Sequence, residues 1–290
     1  MRPGDPGIVL GLYRSRYERS LLEDALTLGI RRIDTSYNYL DYTAHQVLAH
    51  RSGDLLERFS ISTKVGFFPT GTGHSEHSLN PIRLHQAVKE SVDHLGMAPT
   101  VVFLHNPEHT LSRLEPERRD EALATACTAL ATATAEGLCD AWGIASWNPL
   151  SLLPDHEQKT TAPAPQVFMT RAGLTVSARG LEAIETAAEQ WDLPRERRWG
   201  MSPFAGHSTD RMWDQINART FLDGEASCSN LAAAFRTAYE LPKVSRVAVG
   251  TNHPGHLREL VQAARLPVNV DTIDRYRTLL SDAATDHRST

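Results

Sequence analysis

The sequence predicts an α/β fold in which eight strand–helix units close into an (α/β)8 TIM barrel, a single domain spanning residues 1–290. Short β-rich runs alternate with helical patterns along the chain, and no break in composition separates one part from another. Parallel strands joined by helices cross over with a right hand. Eight such units close into a barrel, whereas five or six would give an open, doubly wound sheet.

The predicted strands are short runs rich in apolar and β-branched residues. Residues 8–12, IVLGL, show the type, because they are apolar and too few for a helix. The remaining predicted strands are residues 32–34, 59–64, 101–104, 141–145, 166–169, 198–202 and 246–250.

The predicted helices carry apolar side chains on one face. Within residues 80–95, apolar positions recur every three or four residues, and Gly96 supplies the C-terminal stop. We expect residues 70–77, TGTGHSEH, to form a loop and residues 282–290 to form a frayed tail. The other predicted helices are residues 20–28, 118–136, 181–191, 230–239, 256–264 and 270–280.

The composition disfavours nucleic-acid-binding, membrane-associated and disulfide-rich classes of protein. Hydrophobic residues make up 41% of the chain and charged residues 22%, and the net charge of −5 comes from mixed signs, so neither nucleic acid nor an anionic membrane is an expected partner. Cys127, Cys139 and Cys228 are an odd number without a C-x-x-C pair, which is typical of reduced thiols. No run is long enough for a membrane span or a signal peptide, and we therefore expect a cytoplasmic protein.

Four side chains suited to proton transfer stand at or near predicted strand ends. Chemistry in a parallel barrel takes place on the face where the strands end. Asp34 ends the second predicted strand and Lys64 the third, His105 follows the fourth, and Tyr39 lies five residues after Asp34. Any one of them alone is more often a helix cap, a surface charge or a structural hydrogen bonder. Together, at successive strand ends, they favour a catalytic site.

These four residue types fit acid–base chemistry. A tyrosine has an ordinary pKa near 10, and an ammonium such as that of Lys64 stabilises the phenolate and lowers that pKa. The ammonium needs a carboxylate, here Asp34, to stay charged when buried. His105 can orient a carbonyl group or share its proton. Tyr39 is therefore the predicted proton donor to a carbonyl oxygen while hydride arrives at carbon.

Several segments resemble, in order, motifs of the aldo-keto reductase family. Residues 29–39, GIRRIDTSYNY, resemble the signature that places a tyrosine five residues after an aspartate. Residues 62–66, STKVG, resemble the strand of the catalytic lysine, and residues 104–107, LHNP, resemble the catalytic-histidine motif. Further resemblances, which extend the match from about Gly11 to Ala263, lie at residues 143–149 (GIASWNP), 165–167 (PQV), 201–204 (MSPF) and 250–259.

The resemblance implies a barrel that binds NADPH, or less often NADH, in an extended pose. It also implies that Tyr39 is the acid and that Asp34, Lys64 and His105 support it. The cofactor-binding residues that it implies are Ser146, Gln166, Met201, Ser202, Phe204, Gly250, Thr251, Asn252, His256 and Glu259.

Aromatic side chains are expected around the substrate. The substrate pocket is predicted from Tyr13, Phe67, Asn106 and Trp147, with Phe68 on the same face. Such an apolar pocket with few charges suits an apolar or aromatic carbonyl compound. For Phe68 and Trp147, packing between loops is an equally good interpretation.

Two loops carry further signals. Residues 203–229 are long for a loop after a strand, and we favour a mobile lid over the cofactor rather than a disordered insertion. In the segment 70–77, His74, Glu76 and His77 lack a further ligand at a metal-site spacing, so we expect no bound metal.

The leading hypothesis is an NAD(P)H-dependent reductase of a small aldehyde or ketone, and the many alanines and arginines hint at a role in secondary metabolism. A second hypothesis is a barrel of the same ancestry that lost hydride transfer and performs cofactor-independent proton transfer or dehydration. Ala145, Met201 and His256 motivate it, since they replace a serine, a tyrosine and an arginine common in the family. A non-catalytic binding subunit is a third hypothesis, which an intact set of four acid–base residues disfavours. The oligomeric state stays open.

Overall fold

The computed structural model of the protein describes residues 5–71, 73–153, 162–224 and 227–286, the last four as backbone only. It contains a closed barrel of eight strands and a separate two-stranded sheet. This barrel confirms the predicted (α/β)8 class. In chain order, the strands are β1 (Ile8–Gly11), β2 (Arg32–Asp34), β3 (Ser60–Val65), β4 (Phe67–Pro69), β5 (Ser75–His77), β6 (Val101–His105), β7 (Ala141–Ser146), β8 (Val167–Arg171), β9 (Arg198–Met201) and β10 (Arg246–Val249).

Helices connect the barrel strands. Short 3-10 turns occur at Pro149–Leu152, Arg195–Arg197 and Ala218–Phe221. None of the helices in the described ranges combines the length and the apolar character needed to cross a lipid bilayer. The α-helices are α1 (Arg19–Thr27), α2 (Ala44–Leu56), α3 (Pro81–Leu95), α4 (Glu108–Leu111), α5 (Pro116–Ala135), α6 (Ala178–Gln190), α7 (Met212–Gln215), α8 (Asn230–Thr237), α9 (Pro254–Ala263) and α10 (Val270–Asp286).

Local signals in the sequence fix the ends of α3. The side chain of Asn80 accepts hydrogen bonds from the N–H groups of Ile82 and Arg83 at 3.0 and 3.1 Å, and Pro81 occupies the first turn. At the other end, Gly96 adopts a left-handed backbone with φ 72°, which glycine enters at little cost. The helix therefore begins and ends close to the residues that its sequence predicts.

The barrel strands follow one another as β1, β2, β3, β6, β7, β8, β9 and β10, and β10 closes onto β1. All eight neighbouring pairs are parallel, and Leu10 of β1 lies in register with both Ile33 and Val249. Strands β4 and β5 pair antiparallel in the connection that leads from β3 to α3. Because the eight strands point the same way, their C-terminal ends share one face of the barrel.

The short elements β4, α4 and α7 are absent from the predicted set, and three further features differ from the sequence expectations. Part of the segment 70–77 is not a loop but strand β5, whose polar residues Ser-Glu-His carry no apolar alternation to reveal it. Helix α2 is absent from the predicted set, because polar His45 and Ser52 lie on its buried face and weaken the apolar period. Helix α10 continues to Asp286, so the expected tail does not begin at residue 282. Residues 287–290 lie outside the described part.

Large and small side chains fit together inside the barrel. The rings of Phe103 and Trp199 meet edge to face with centroids 5.5 Å apart, and Gly143 lies in register with Phe103 on the neighbouring strand. A Cβ atom added to Gly143 would stand 2.2 Å from the carbonyl oxygen of Val167 and 2.9 Å from the Phe103 ring. Glycine at this position leaves the space that Phe103 fills. The interior cluster consists of Val9, Val101, Phe103, Ala141, Ala145, Val167, Met169, Trp199 and Ala248.

We predict that Gly143→Ala lowers the free energy of unfolding by about 2–3 kcal/mol, because the added methyl group collides with backbone and with a buried ring. Urea unfolding followed by circular dichroism measures this change. Gly53→Ala in α2 is the control, since a Cβ there meets no atom within 4 Å, and it should shift the free energy by less than about 1 kcal/mol. Equal effects of the two substitutions would contradict the packing argument.

Candidate active site

The C-terminal ends of the strands enclose a cavity of about 610 Å³. Asp34, Lys64 and His105 reach it from the ends of β2, β3 and β6, and Tyr39 reaches it from the loop after β2. The barrel thus brings together the four side chains that the sequence analysis groups as an acid–base site. They come from three neighbouring strands, so the closure of the barrel, not their proximity in sequence, creates the group.

A buried ion pair forms the floor of the site. The ammonium of Lys64 donates hydrogen bonds to Asp34 Oδ2 and, at 2.9 Å, to the carbonyl oxygen of Thr35. The hydroxyl of Ser62 donates to Asp34 Oδ1 at 2.8 Å. Asp34 and Lys64 are 5% and 3% exposed, so neither charge has water to stabilise it. The pair therefore holds the ends of β2 and β3 together as a fixed unit.

Tyr39 lies over this pair and stays protonated. Lys64 Nζ is 5.4 Å from the centroid of the Tyr39 ring. Burial, followed by the nearby Asp34 carboxylate and then Tyr13, raises the pKa of Tyr39 well above its ordinary value. This direction is opposite to the lowering expected from Lys64. The physical reason is that loss of water and the Asp34 carboxylate both disfavour the phenolate and together outweigh the ammonium.

His105 is held from two sides and stays neutral. Its Nδ1 atom lies 3.2 Å from the hydroxyl of Ser36, and its carbonyl oxygen accepts a 2.7 Å hydrogen bond from His77 Nε2. Burial, with Lys64 as the next cause, lowers the pKa of His105 well below its ordinary value. His77 belongs to β5, so the small hairpin positions the end of β6.

Aromatic side chains surround the four acid–base residues. The ring of Tyr13 packs against that of Tyr39 with centroids 5.2 Å apart, and the ring of Phe67 packs against His105 at 5.0 Å. Trp147 and Asn106 complete this wall, so all four residues predicted for the substrate pocket line the cavity. Phe68, by contrast, is 4% exposed and lies in the core next to the helices, which supports its packing interpretation.

Six of the ten residues implied for cofactor binding line the same cavity. They lie after β9 and β10, on the side of the barrel where β1 closes. Asn252 Oδ1 accepts a 3.0 Å hydrogen bond from the N–H of Arg16, so this side chain also stabilises the loop after β1. The six residues are Met201, Ser202, Phe204, Gly250, Thr251 and Asn252.

Ser146 and Gln166 do not line this cavity, so their assignment to the cofactor stays a prediction. Ser146 is fully buried, and its hydroxyl donates to Glu108 Oε2 at 3.0 Å. Gln166 directly precedes β8, at the opposite end of the strand from the cavity, where its Oε1 accepts from the N–H of Trp142 at 3.1 Å.

His256 and Glu259 lie on α9, farther from the four acid–base residues. His256 is exposed and its ring packs against that of His253 with centroids 5.1 Å apart. Glu259 borders a second depression, together with Arg219 and Cys228. Neither side chain lines the main cavity.

The segment 203–229 is more structured than its irregular sequence suggests. Residues 203–208 line the cavity, and the segment includes α7. Trp213 is 4% exposed, and its indole N–H donates to the carbonyl oxygen of His207 at 3.1 Å. The side chain of Asn230 donates to the carbonyl oxygen of Trp213 at 2.8 Å. These contacts anchor the middle of the segment to the barrel; residues 225 and 226 lie outside the described part.

Sequence reasoning missed three residues with roles in the geometry. Asn38 lines the cavity and accepts a 2.6 Å hydrogen bond from Ser36, His77 supports His105, and Glu108 accepts from the turn after β7. Asn38 lies inside the motif that contains Tyr39, which is a signal within reach of sequence analysis. His77 and Glu108 act through the folded chain and leave no such signal.

The cavity also contains polar atoms that fit a carboxamide-bearing cofactor. Asn106 Oδ1 and Ser202 Oγ are buried without a hydrogen-bond partner, and both residues adopt a left-handed backbone, with φ 51° and 53°. An amide oxygen and a hydroxyl complement the donor and acceptor of a nicotinamide carboxamide. Across the described residues, no group of three or more His, Cys, Asp or Glu side chains is placed to hold a metal ion.

Comparison with known structures gives one consistent fold. Three similar structures are an aldo-keto reductase from Bacillus halodurans, an aldo-keto reductase from Klebsiella pneumoniae in complex with NADPH, and an aldose reductase from Giardia lamblia. Their sequence identities are 17%, 15% and 15%, and their TM-scores are 0.72, 0.65 and 0.66. The matches cover 94%, 96% and 97% of this chain and 91%, 92% and 94% of the others, in the same order.

Comparison by sequence gives a family. None of the curated proteins matches this chain. The model of the aldo/keto reductase family, however, matches residues 11–167, which is more than half of the 290 residues and contains all four acid–base side chains. The chain therefore belongs to the aldo/keto reductase family and is an NAD(P)H-dependent oxidoreductase.

Proposed function

We propose that the chain reduces an aldehyde or ketone to an alcohol, with Tyr39 as proton donor and with Asp34, Lys64 and His105 in support. The observation that carries this proposal is the arrangement at the cavity. A buried Asp34–Lys64 ion pair lies beneath a tyrosine that is protonated and a histidine that is neutral. A pure binding module has no need of a desolvated ammonium next to a phenol.

The four side chains divide the proton chemistry among them. When the carbonyl oxygen gains negative charge, Tyr39 transfers its proton to that oxygen, and Lys64 stabilises the phenolate that is left. Asp34 keeps Lys64 charged and in place, with Ser62 holding the carboxylate from below. His105 is neutral and orients the oxygen without adding a charge that would repel Lys64.

A nicotinamide cofactor, when bound, supplies the hydride to the carbonyl carbon. NADPH is favoured, because the similar Klebsiella pneumoniae protein is described in complex with it. Met201, Ser202 and Phe204 form one wall against which the cofactor can lie. Next to this wall, the absence of a side chain at Gly250 lets its backbone lie close to that of Gly11. His256 and Glu259 are assigned to the far end of an extended cofactor, near the beginning of α9.

The substrate is assigned to an apolar or aromatic carbonyl class. Tyr13, Phe67 and Trp147 present three rings to the cavity, and Asn106 adds a neutral polar group. Among the lining residues, Asp34 and Lys64 form an ion pair, and Arg14 adds one guanidinium 5.1 Å from the centroid of Tyr13, so the wall close to Tyr39 carries a small net charge. Such a wall stabilises rings and alkyl chains better than it stabilises ionised groups.

We predict that Tyr39→Phe lowers kcat for carbonyl reduction by roughly a hundredfold or more, because the proton donor is lost while the ring remains. Stopped-flow or steady-state assays of NADPH oxidation measure this effect. Fluorescence titration should show that the variant keeps its affinity for NADPH, since the cofactor lies against other residues.

Tyr37→Phe is the matched control for this substitution. Tyr37 stands two residues earlier, and its hydroxyl donates to Glu90 on α3 at 2.5 Å rather than facing the cavity. Its removal should leave kcat within about twofold of the wild type. Wild-type turnover by the Tyr39 variant would remove Tyr39 as the acid, and absence of binding to both NADPH and NADH would contradict the reductase function itself.

We predict a level pH profile of kcat/KM for reduction of a non-ionising aldehyde between about pH 6 and pH 8. Burial lowers the pKa of His105 and raises that of Tyr39, so both stay in one protonation state throughout this interval. Activity should decline only at alkaline pH, as Tyr39 loses its proton. An acidic limb near pH 6.5 that disappears in His105→Gln would show that His105 titrates in the working range.

A further inference from the structure

Large apolar side chains are exposed at the mouth of the cavity. Tyr13 is 59% and Trp147 44% exposed, although both also line the cavity. Leu40 and Leu150, 45% and 47% exposed, lie in the same two regions of chain as Tyr39 and Trp147. Exposed apolar surface that continues into a binding cavity is typical of a ligand-contact surface. We therefore expect a single ligand to occupy the cavity and to cover this exposed surface.

The two aromatic residues stand on opposite sides of the mouth. Tyr13 follows β1 and Trp147 follows β7, and three strands separate β1 from β7 in either direction around the barrel. Tyr39 and His105 reach the cavity between them. A molecule whose carbonyl group contacts Tyr39 therefore has an aromatic surface on each side as it leaves the cavity.

The Trp147 side is rigidly held by one carboxylate. Glu108 Oε1 accepts hydrogen bonds from the N–H groups of Trp147 and Asn148 at 2.7 and 3.2 Å, and Oε2 accepts from Ser146 at 3.0 Å. The guanidinium of Arg171 lies 5.5 Å from the centre of the Trp147 ring. An exposed tryptophan on a turn would ordinarily sample several positions, and here the turn is fixed before any ligand arrives.

The Tyr13 side is also held in place. The N–H of Leu12 donates to the carbonyl oxygen of Asp34 at 2.8 Å, which ties this turn to the ion pair below. The Tyr13 ring lies against Tyr39, and the guanidinium of Arg14 is 5.1 Å from the Tyr13 centroid. The turn thus presents its ring at the mouth without a rearrangement.

Resting on the proposed function, we propose that the substrate is a bulky, ring-bearing apolar carbonyl compound whose rings pack between Tyr13 and Trp147, and that Glu108 is the positioning residue for this clamp. A small or strongly polar substrate would leave both rings in water. A larger ring system whose carbonyl group contacts Tyr39 buries more of this exposed ring surface than a small substrate does. Continuity with the cavity favours this occupant over a second protein molecule.

A size series tests this proposal. Benzaldehyde, 2-naphthaldehyde and 2-anthraldehyde carry the same reacting group on one, two and three fused rings. The wild type should gain about fivefold in kcat/KM per added ring, mainly through KM, as expected when roughly 40 Å² more ring surface is buried. Quenching of tryptophan fluorescence on titration with each aldehyde gives the same order of affinities without turnover.

Four variants test which residues cause the rise in kcat/KM with ring number. Trp147→Ala should flatten the dependence on ring number, and Glu108→Leu should do the same through KM while kcat changes little. Glu108→Gln keeps an acceptor for the turn and should restore most of the dependence. Ile82→Ala, which removes an apolar side chain on α3 that is 78% exposed and does not line the cavity, should leave all three aldehydes as in the wild type.

The outcomes separate this proposal from the proposed function. If no aldehyde turns over but binding still rises with ring number, the reductase function fails and the clamp stands. If neither kcat/KM nor binding depends on ring number, or if Trp147→Ala keeps the full dependence, the clamp is overturned. It is likewise overturned if Trp147→Ala only dissociates an oligomer in sedimentation experiments.

Discussion

The buried ion pair between Asp34 and Lys64 is the constraint on which the site depends. Two charges without water are tolerated only when each has the other and further hydrogen bonds, which Ser62 and Thr35 supply. The pair joins β2 to β3 at the point where the strands end. Tyr39 lies over it, and through Leu12 the turn after β1 is tied to the backbone of Asp34. Separating the two buried charges would cost much free energy, so the ion pair fixes the positions of the residues around the cavity.

The same pair decides the charge state of its neighbours. An unpaired ammonium next to Tyr39 would lower the pKa of the phenol, but burial and, after it, the Asp34 carboxylate outweigh the ammonium and raise the pKa. For His105, burial and Lys64 act in one direction and keep the ring neutral. The site therefore rests in a single protonation state, a neutral acid and a neutral histidine over a closed ion pair. In the proposed reaction, Tyr39 becomes charged only when it gives its proton to a carbonyl group.

The turns around the Asp34–Lys64 pair are positioned by contacts that no sequence motif predicts. Glu108 accepts hydrogen bonds from the Ser146 hydroxyl and the Trp147 N–H, and so holds the turn after β7 at the mouth of the cavity. The polar atoms left unpaired in the wall belong to Asn106 and Ser202, both held in a left-handed backbone. Such strain persists only where surrounding structure enforces it.

Periodicity and spacing in the sequence predicted the barrel and put the four candidate acid–base residues at or near strand ends, because apolar runs, helix stops and strand-end side chains are local features. They also determined the aromatic wall of Tyr13, Phe67 and Trp147. Closure of the barrel decided the rest. It placed Gln166 at the opposite end of its strand from the cavity, and it formed β5 from polar residues that bring His77 to His105. Hydrogen bonds between distant segments and the loss of water around Tyr39 exist only in the folded chain, so no local pattern could predict them.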